Sequence, residues 1–135
     1  MPDRLWFISA ALLVAVLGAA SFARSAVYRD EVTLLSDTAR KSPDKVRLLN
    51  NLAFALMSAG RNQDALPLLK RALDLDPQFT DAWNNLALAY FAVGMWTEAE
   101  QEFQLIIERR PYTRDADFAR KMISLIRKSA GPGQH

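Results

Sequence analysis

The chain has 135 residues, half of them apolar, with 17 basic and 15 acidic side chains and a formal charge of +2. That length allows one modest domain, and so small a charge implies no nucleic-acid partner. With no cysteine and one histidine, His135 near the end of the chain, the composition excludes disulfides, a zinc site of familiar spacing and a Ser-His-Asp constellation. The chain therefore reads as non-enzymatic and free of cofactor.

In chain order, residues 5–23, LWFISAALLVAVLGAASFA, carry no charge and two serines. At about 1.5 Å of rise per residue such a run is long enough to cross a bilayer core. Residues 1–26 thus read as a hydrophobic, transmembrane-type anchor helix. A cleaved signal peptide is the alternative, since Gly18-Ala19-Ala20 and Ser21-Phe22-Ala23 offer small residues at the positions a signal peptidase reads. Arg4 on one side and Arg24 with Arg29 on the other barely discriminate topology. The expectation is a single-pass protein of a bacterial inner membrane with its folded part outside the cytoplasm, or else an extracellular filament. Ala11, Ala15, Gly18 and Ala19 make a small-residue face on which helices can approach closely, a candidate for self-association. Tolerance of alanine in a lone anchor explains them equally.

Residues 27–43 keep a helical rhythm through Val27, Leu34, Leu35, Thr38 and Ala39 up to Pro43, and can continue the anchor as a connecting helix. Residues 44–79 read as a helix from about Lys45 to Ser58, a turn at Ala59-Gly60-Arg61, and a helix from about Asn62 to Asp76 with Pro67 early in it. Residues 80–112 repeat this arrangement. Trp83, Leu86, Ala87 and Tyr90 line one helical face, and Ala99, Phe103, Ile106 and Ile107 line another after Gly94. Thr97 with Glu100 predicts a capping box at the second helix start, and Glu98, Glu100 and Glu102 read as a solvated acidic helix start. Residues 113–129 predict a capping helix with Phe118, Met122, Ile123, Leu125 and Ile126 on its apolar side, and 130–135 a flexible end. Basic residues Arg109, Arg110, Arg114, Arg120, Lys121, Arg127 and Lys128 form a second surface, facing lipid headgroups, a glycan acid or another subunit, or only water.

The two hairpins superpose at an offset of 34 residues: Leu49/Trp83, Leu52/Leu86, Ala53/Ala87, Leu56/Tyr90, Gly60/Gly94, Ala65/Ala99, Leu69/Phe103 and Pro77/Pro111. With this spacing the sequence resembles the tetratricopeptide repeat (TPR) family, whose unit carries W-x2-L-G-x2-Y, A-x3-F and P. Ala87 replaces the glycine of that pattern, and the first copy is its aliphatic version. Pro43 lies the same distance before Pro77, so 27–43 looks like a degenerate half-repeat, though Glu31 stands where Ala65 and Ala99 stand. The fold expected is all-α: the hydrophobic helix, a TPR helical-hairpin solenoid, and the C-terminal cap.

The resemblance also implies a concave groove lined by the first helices of the hairpins. Its residues are Asn50, Asn51, Phe54 and Met57 in the first unit and Asn84, Asn85, Leu88 and Phe91 in the second. Asn51 and Asn85 stand where some members use an asparagine ladder to bind peptide backbone, although asparagine is also common there in the repeat consensus. The clamp that grips a C-terminal carboxylate in chaperone-binding relatives is missing, because Asn50 and Phe54 occupy its lysine and asparagine positions. The function expected is a membrane-anchored TPR scaffold or adaptor that binds a protein partner. One rival is a subunit of a pilus-like homopolymer packed through its N-terminal helices with the TPR heads outside. Another is an accessory part of a membrane glycosyltransferase system, from the likeness of Arg29 to Pro43 to the junction before the repeats in such proteins.

Overall fold

A computed structural model describes residues 26–129. Six α-helices occupy this span: α1 over 26–41, α2 Val46–Ser58, α3 Asn62–Leu75, α4 Thr80–Ala92, α5 Trp96–Arg109 and α6 Arg114–Ser129. Among the described residues no helix is long and apolar enough to cross a membrane. The apolar run 5–23, and with it the self-association face of Ala11, Ala15, Gly18 and Ala19, lies outside the described residues.

The helices pack as successive antiparallel neighbours, α2 on α3, α3 on α4, α4 on α5 and α5 on α6, and α2 also touches α4. Alanine is what lets them approach. Ala53, Ala65, Ala72, Ala82, Ala87, Ala89 and Ala99 are completely buried, and the 34-residue pairs Ala53/Ala87 and Ala65/Ala99 are among them. The largest fully buried side chains, Leu69 and Phe103, are themselves such a pair. One apolar core runs through every helix, from Val32 of α1 to Ile126 of α6. Glu31 of α1 is exposed where its counterparts Ala65 and Ala99 are buried, so α1 closes that end of the core with Val32 and Ala39 instead.

Each hairpin turns on its glycine. Gly60 (φ +78°) and Gly94 (φ +81°) adopt the left-handed conformation that a side chain resists. Around them, Gly60 N–H donates to Met57 O (3.0 Å) and Arg61 N–H to Leu56 O (2.8 Å); Gly94 N–H donates to Phe91 O (3.2 Å) and Met95 N–H to Tyr90 O (3.0 Å). This is the Schellman pairing, and it satisfies carbonyls that a helix end leaves open.

That turn also overturns the predicted capping box. Helix α5 begins at Trp96, with Met95 as its N-cap and no side-chain cap. Met95 is fixed by the preceding turn, so the helix starts before Thr97 can cap it. Glu100 turns instead to α6, where its carboxylate accepts from Arg127 at 2.6 Å. The side-chain cap present among the described helices is Thr113, whose Oγ1 accepts from Ala116 N–H (3.3 Å) at the start of α6.

Two further expectations are corrected. The acidic start of α5 is not solvated throughout, for Glu102 is partly buried and its Oε2 is sequestered without a hydrogen-bond partner. And α6 buries Ala116, Ala119, Met122, Ile123 and Ile126, leaving Phe118 and Leu125 exposed at the flank. Phe118 still meets the fully buried Phe103 edge-on, ring centroids 6.2 Å apart.

Candidate functional site: the uncovered face of the first helices

Helices α2 and α4 give one side to α3 and α5 and leave the other uncovered. On that side Phe54 is 57% exposed, while Met57, Leu88 and Phe91 are half-buried. An apolar side chain so exposed at the middle of a helix, in line with three others, makes a surface suited to apolar groups of a partner. Trp96, which the sequence reading left out, joins it from the start of α5: its ring meets Phe91 edge-on at 5.3 Å and an interplanar angle of 90°. The signal was present, an aromatic directly after a glycine turn, where the chain is exposed.

The asparagines divide differently from the proposed ladder. Asn85 Nδ2 donates to Asn50 Oδ1 at 2.9 Å, joining α4 to α2. Asn50 is buried at 6% exposure, and Asn51 faces solvent. Asn84 Oδ1 is buried with no hydrogen-bond partner, which makes it an acceptor still lacking a donor. Of the predicted groove residues, Asn51 and Phe54 are exposed, Met57, Leu88 and Phe91 half-buried, and Asn50 and Asn85 bonded to each other across the helices, with the Asn84 oxygen unmatched.

The opposite seam is charged. Lys70 Nζ lies 5.5 Å from the Tyr90 ring centroid, and the Arg109 guanidinium 4.5 Å from that of Trp83. Pro77 O accepts from Trp83 Nε1 (2.9 Å) and from Arg109 Nη1 (3.3 Å), so the tryptophan of the repeat pins the inter-repeat turn. Burial holds the Glu102 carboxyl above the usual carboxylate range, with Lys70 and Arg109 only partly opposing it. Several of the predicted basic residues are already engaged: Arg110 reaches Thr80 Oγ1 (2.9 Å), and Arg120 bonds Asp117 and Pro111 O.

Sequence profiles described as Tetratricopeptide repeat match residues 17–78 and 56–120. The chain carries tetratricopeptide repeats. Among solved structures, the first TPR of Spaghetti (RPAP3) bound to HSP90 peptide SRMEEVD aligns at TM-score 0.69 and 18% identity, over 82% of this chain and 86% of that one. The second TPR domain of human RPAP3 in complex with HSP70 peptide SGPTIEEVD aligns at 0.66 and 19% identity, over 80% and 88%. The Sgt2 TPR domain from Aspergillus fumigatus aligns at 0.66 and 22% identity, over 84% and 74%. At these identities the likeness is one of fold. A comparison with curated proteins returned no match. The TPR helical solenoid stands on these observations.

Proposed function

We propose that this chain is a non-enzymatic, membrane-anchored TPR adaptor. Its apolar residues 5–23 would hold it in a bacterial inner membrane with the repeats outside the cytoplasm, and its α2/α4 face would bind a segment of a protein partner. The observation that carries the reading is the line of exposed Phe54 with half-buried Met57, Leu88 and Phe91 on two packed helices. A segment laid there would cover apolar groups that the free protein leaves partly in water, which favours binding.

The same face argues against the acidic peptides seen in two structural neighbours. Both of those peptides end in EEVD. None of the eight predicted groove residues is basic, and Asn50 and Phe54 stand where the clamp would need a lysine and an asparagine. Selection from a displayed peptide library is the test. Apolar segments are expected to be recovered, their binding is expected to be lost in Phe54→Asp at an unchanged melting temperature, and neither EEVD peptide is expected to bind. Recovery of acidic C-terminal tails, or binding indifferent to Phe54→Asp, would overturn the reading.

A further inference from the structure

The hairpin topology gathers one edge of the molecule. Because each turn reverses the chain, the start of α1, the α2–α3 turn, the α4–α5 turn and the end of α6 lie together. A cleft of about 490 Å³ joins Tyr28, Arg29 and Val32 of α1 to Ser58, Ala59 and Arg61. Another, of about 940 Å³, joins Trp96, Thr97 and Glu100 to Ile126, Arg127 and Ser129.

Exposed apolar side chains recur along this edge: Val27 (66%), Trp96 (44%) and Leu125 (50%). Arg29 and Lys128 are exposed beside them. The opposite edge also has an exposed aromatic, Tyr112, and both edges carry ion pairs: Arg71 with Asp44 at 2.8 Å and Arg110 with Asp115 at 3.9 Å on that one, Arg61 with Asp64 at 2.7 Å and Arg127 with Glu100 at 2.6 Å on this one. What separates the edges is where the chain enters. The apolar run ends at Ala23 and α1 is helical from residue 26. Three residue steps span at most about 11 Å in any conformation, so this edge cannot lie far from the end of that run.

We propose that this edge rests on the bilayer that holds residues 5–23, with Val27 and Trp96 at headgroup level and Arg29 and Lys128 facing anionic lipid phosphates. The inference rests on the anchor reading given above. Tryptophan favours the interface because its ring is apolar and its N–H is not. Lysine and arginine near an anionic leaflet add attraction that acts within a Debye length. Held this way, the α2/α4 face stands on the membrane with its helix axes steep to the plane, and a partner would have to reach it close to the lipid surface.

The absence of cysteine makes the test direct. Single nitroxide labels are placed through Gln63→Cys and Thr97→Cys on this edge and Gln78→Cys and Tyr112→Cys on the other. The full chain is reconstituted in phosphatidylcholine vesicles containing one quarter phosphatidylglycerol, recovered by flotation, and read for accessibility to a water-soluble paramagnetic nickel complex. A severalfold drop in accessibility is expected at Gln63 and Thr97 relative to Gln78 and Tyr112, weakened in zwitterionic vesicles and by Lys128→Glu. Failure of the chain to float removes the anchor, and this proposal with it. Flotation with all four labels equally accessible removes the proposal alone, as does shielding that is already present in detergent, where another copy or a partner would be the cover.

Discussion

Glu102 is a carboxylate in the wrong place for stability. It sits on α5 in the seam with α3, one oxygen sequestered without a partner, and burial lifts its proton affinity in the folded state. The sign of the linkage follows. A folded-state pKa above the unfolded one means the folded protein binds the proton more tightly, so Glu102 favours folding at low pH and progressively opposes it as pH rises through the folded value. Lys70 and Arg109 offset part of this cost but do not reverse it. Glu102→Gln keeps the shape and removes the ionisation. The variant is expected to melt higher than the parent at about pH 7.5 and to match it at about pH 3, below the ordinary glutamate range, where the carboxyl is protonated in both states. Thermal unfolding of the pair at the two pH values decides it; a variant less stable at neutral pH would mean that Lys70 and Arg109 dominate.

At the scale of the element, most of the fold was legible because it is written twice. The 34-residue offset pairs glycine with glycine at both turns and alanine with alanine at both close approaches, and these positions carry the left-handed turns and the fully buried contacts. What misled was local. Thr97 and Glu100 have capping-box spacing, but the backbone pairing around Gly94 had already fixed the helix start, and no side-chain pattern announces a backbone bond. Helix α6 offered two stripes at helical spacing. One holds Phe118 and Leu125; the other mixes Ala116 and Ala119 with Ile123 and Ile126, with the buried Met122 at its border, and the small residues made it the one that could sit close to α5. The two stripes predict different costs. Ile123→Ala should lose about 2–5 kcal/mol, as a buried truncation does, whereas Leu125→Ala should lose within about 0.5 kcal/mol, the range of surface changes. Denaturant unfolding of both variants checks this, and equal losses would put Leu125 back in the core. The groove was legible only as a face: register placed its residues together, but that Asn85 bonds Asn50 and that Asn51 is left to water depends on side-chain directions a repeat pattern does not specify.

For the whole molecule, the question is whether two repeats with their flanking helices act as one unit. A solenoid is held by units and by the contacts between neighbours, and arrays of only two have little to spare. Here the flanks contribute: α1 and α6 both enter the single core, and α3 packs on α4 as well as on α2. If the interface is as strong as the units it joins, damage to the first repeat must be felt at once in the second. Leu69→Ala tests this, since Leu69 is fully buried on α3 while Trp83 and Trp96 report from the second repeat. The truncation should cost about 2–5 kcal/mol. In a Trp6→Phe background, the tryptophan fluorescence transition should move with the far-UV circular dichroism transition, to the same lower denaturant concentration. Coincidence of the two is the mark of a single cooperative unit. A fluorescence transition that stays where the parent has it, while helicity is lost earlier, would mean that the repeats unfold separately. The α2/α4 face would then be one that a partner assembles on binding, and not a preformed surface.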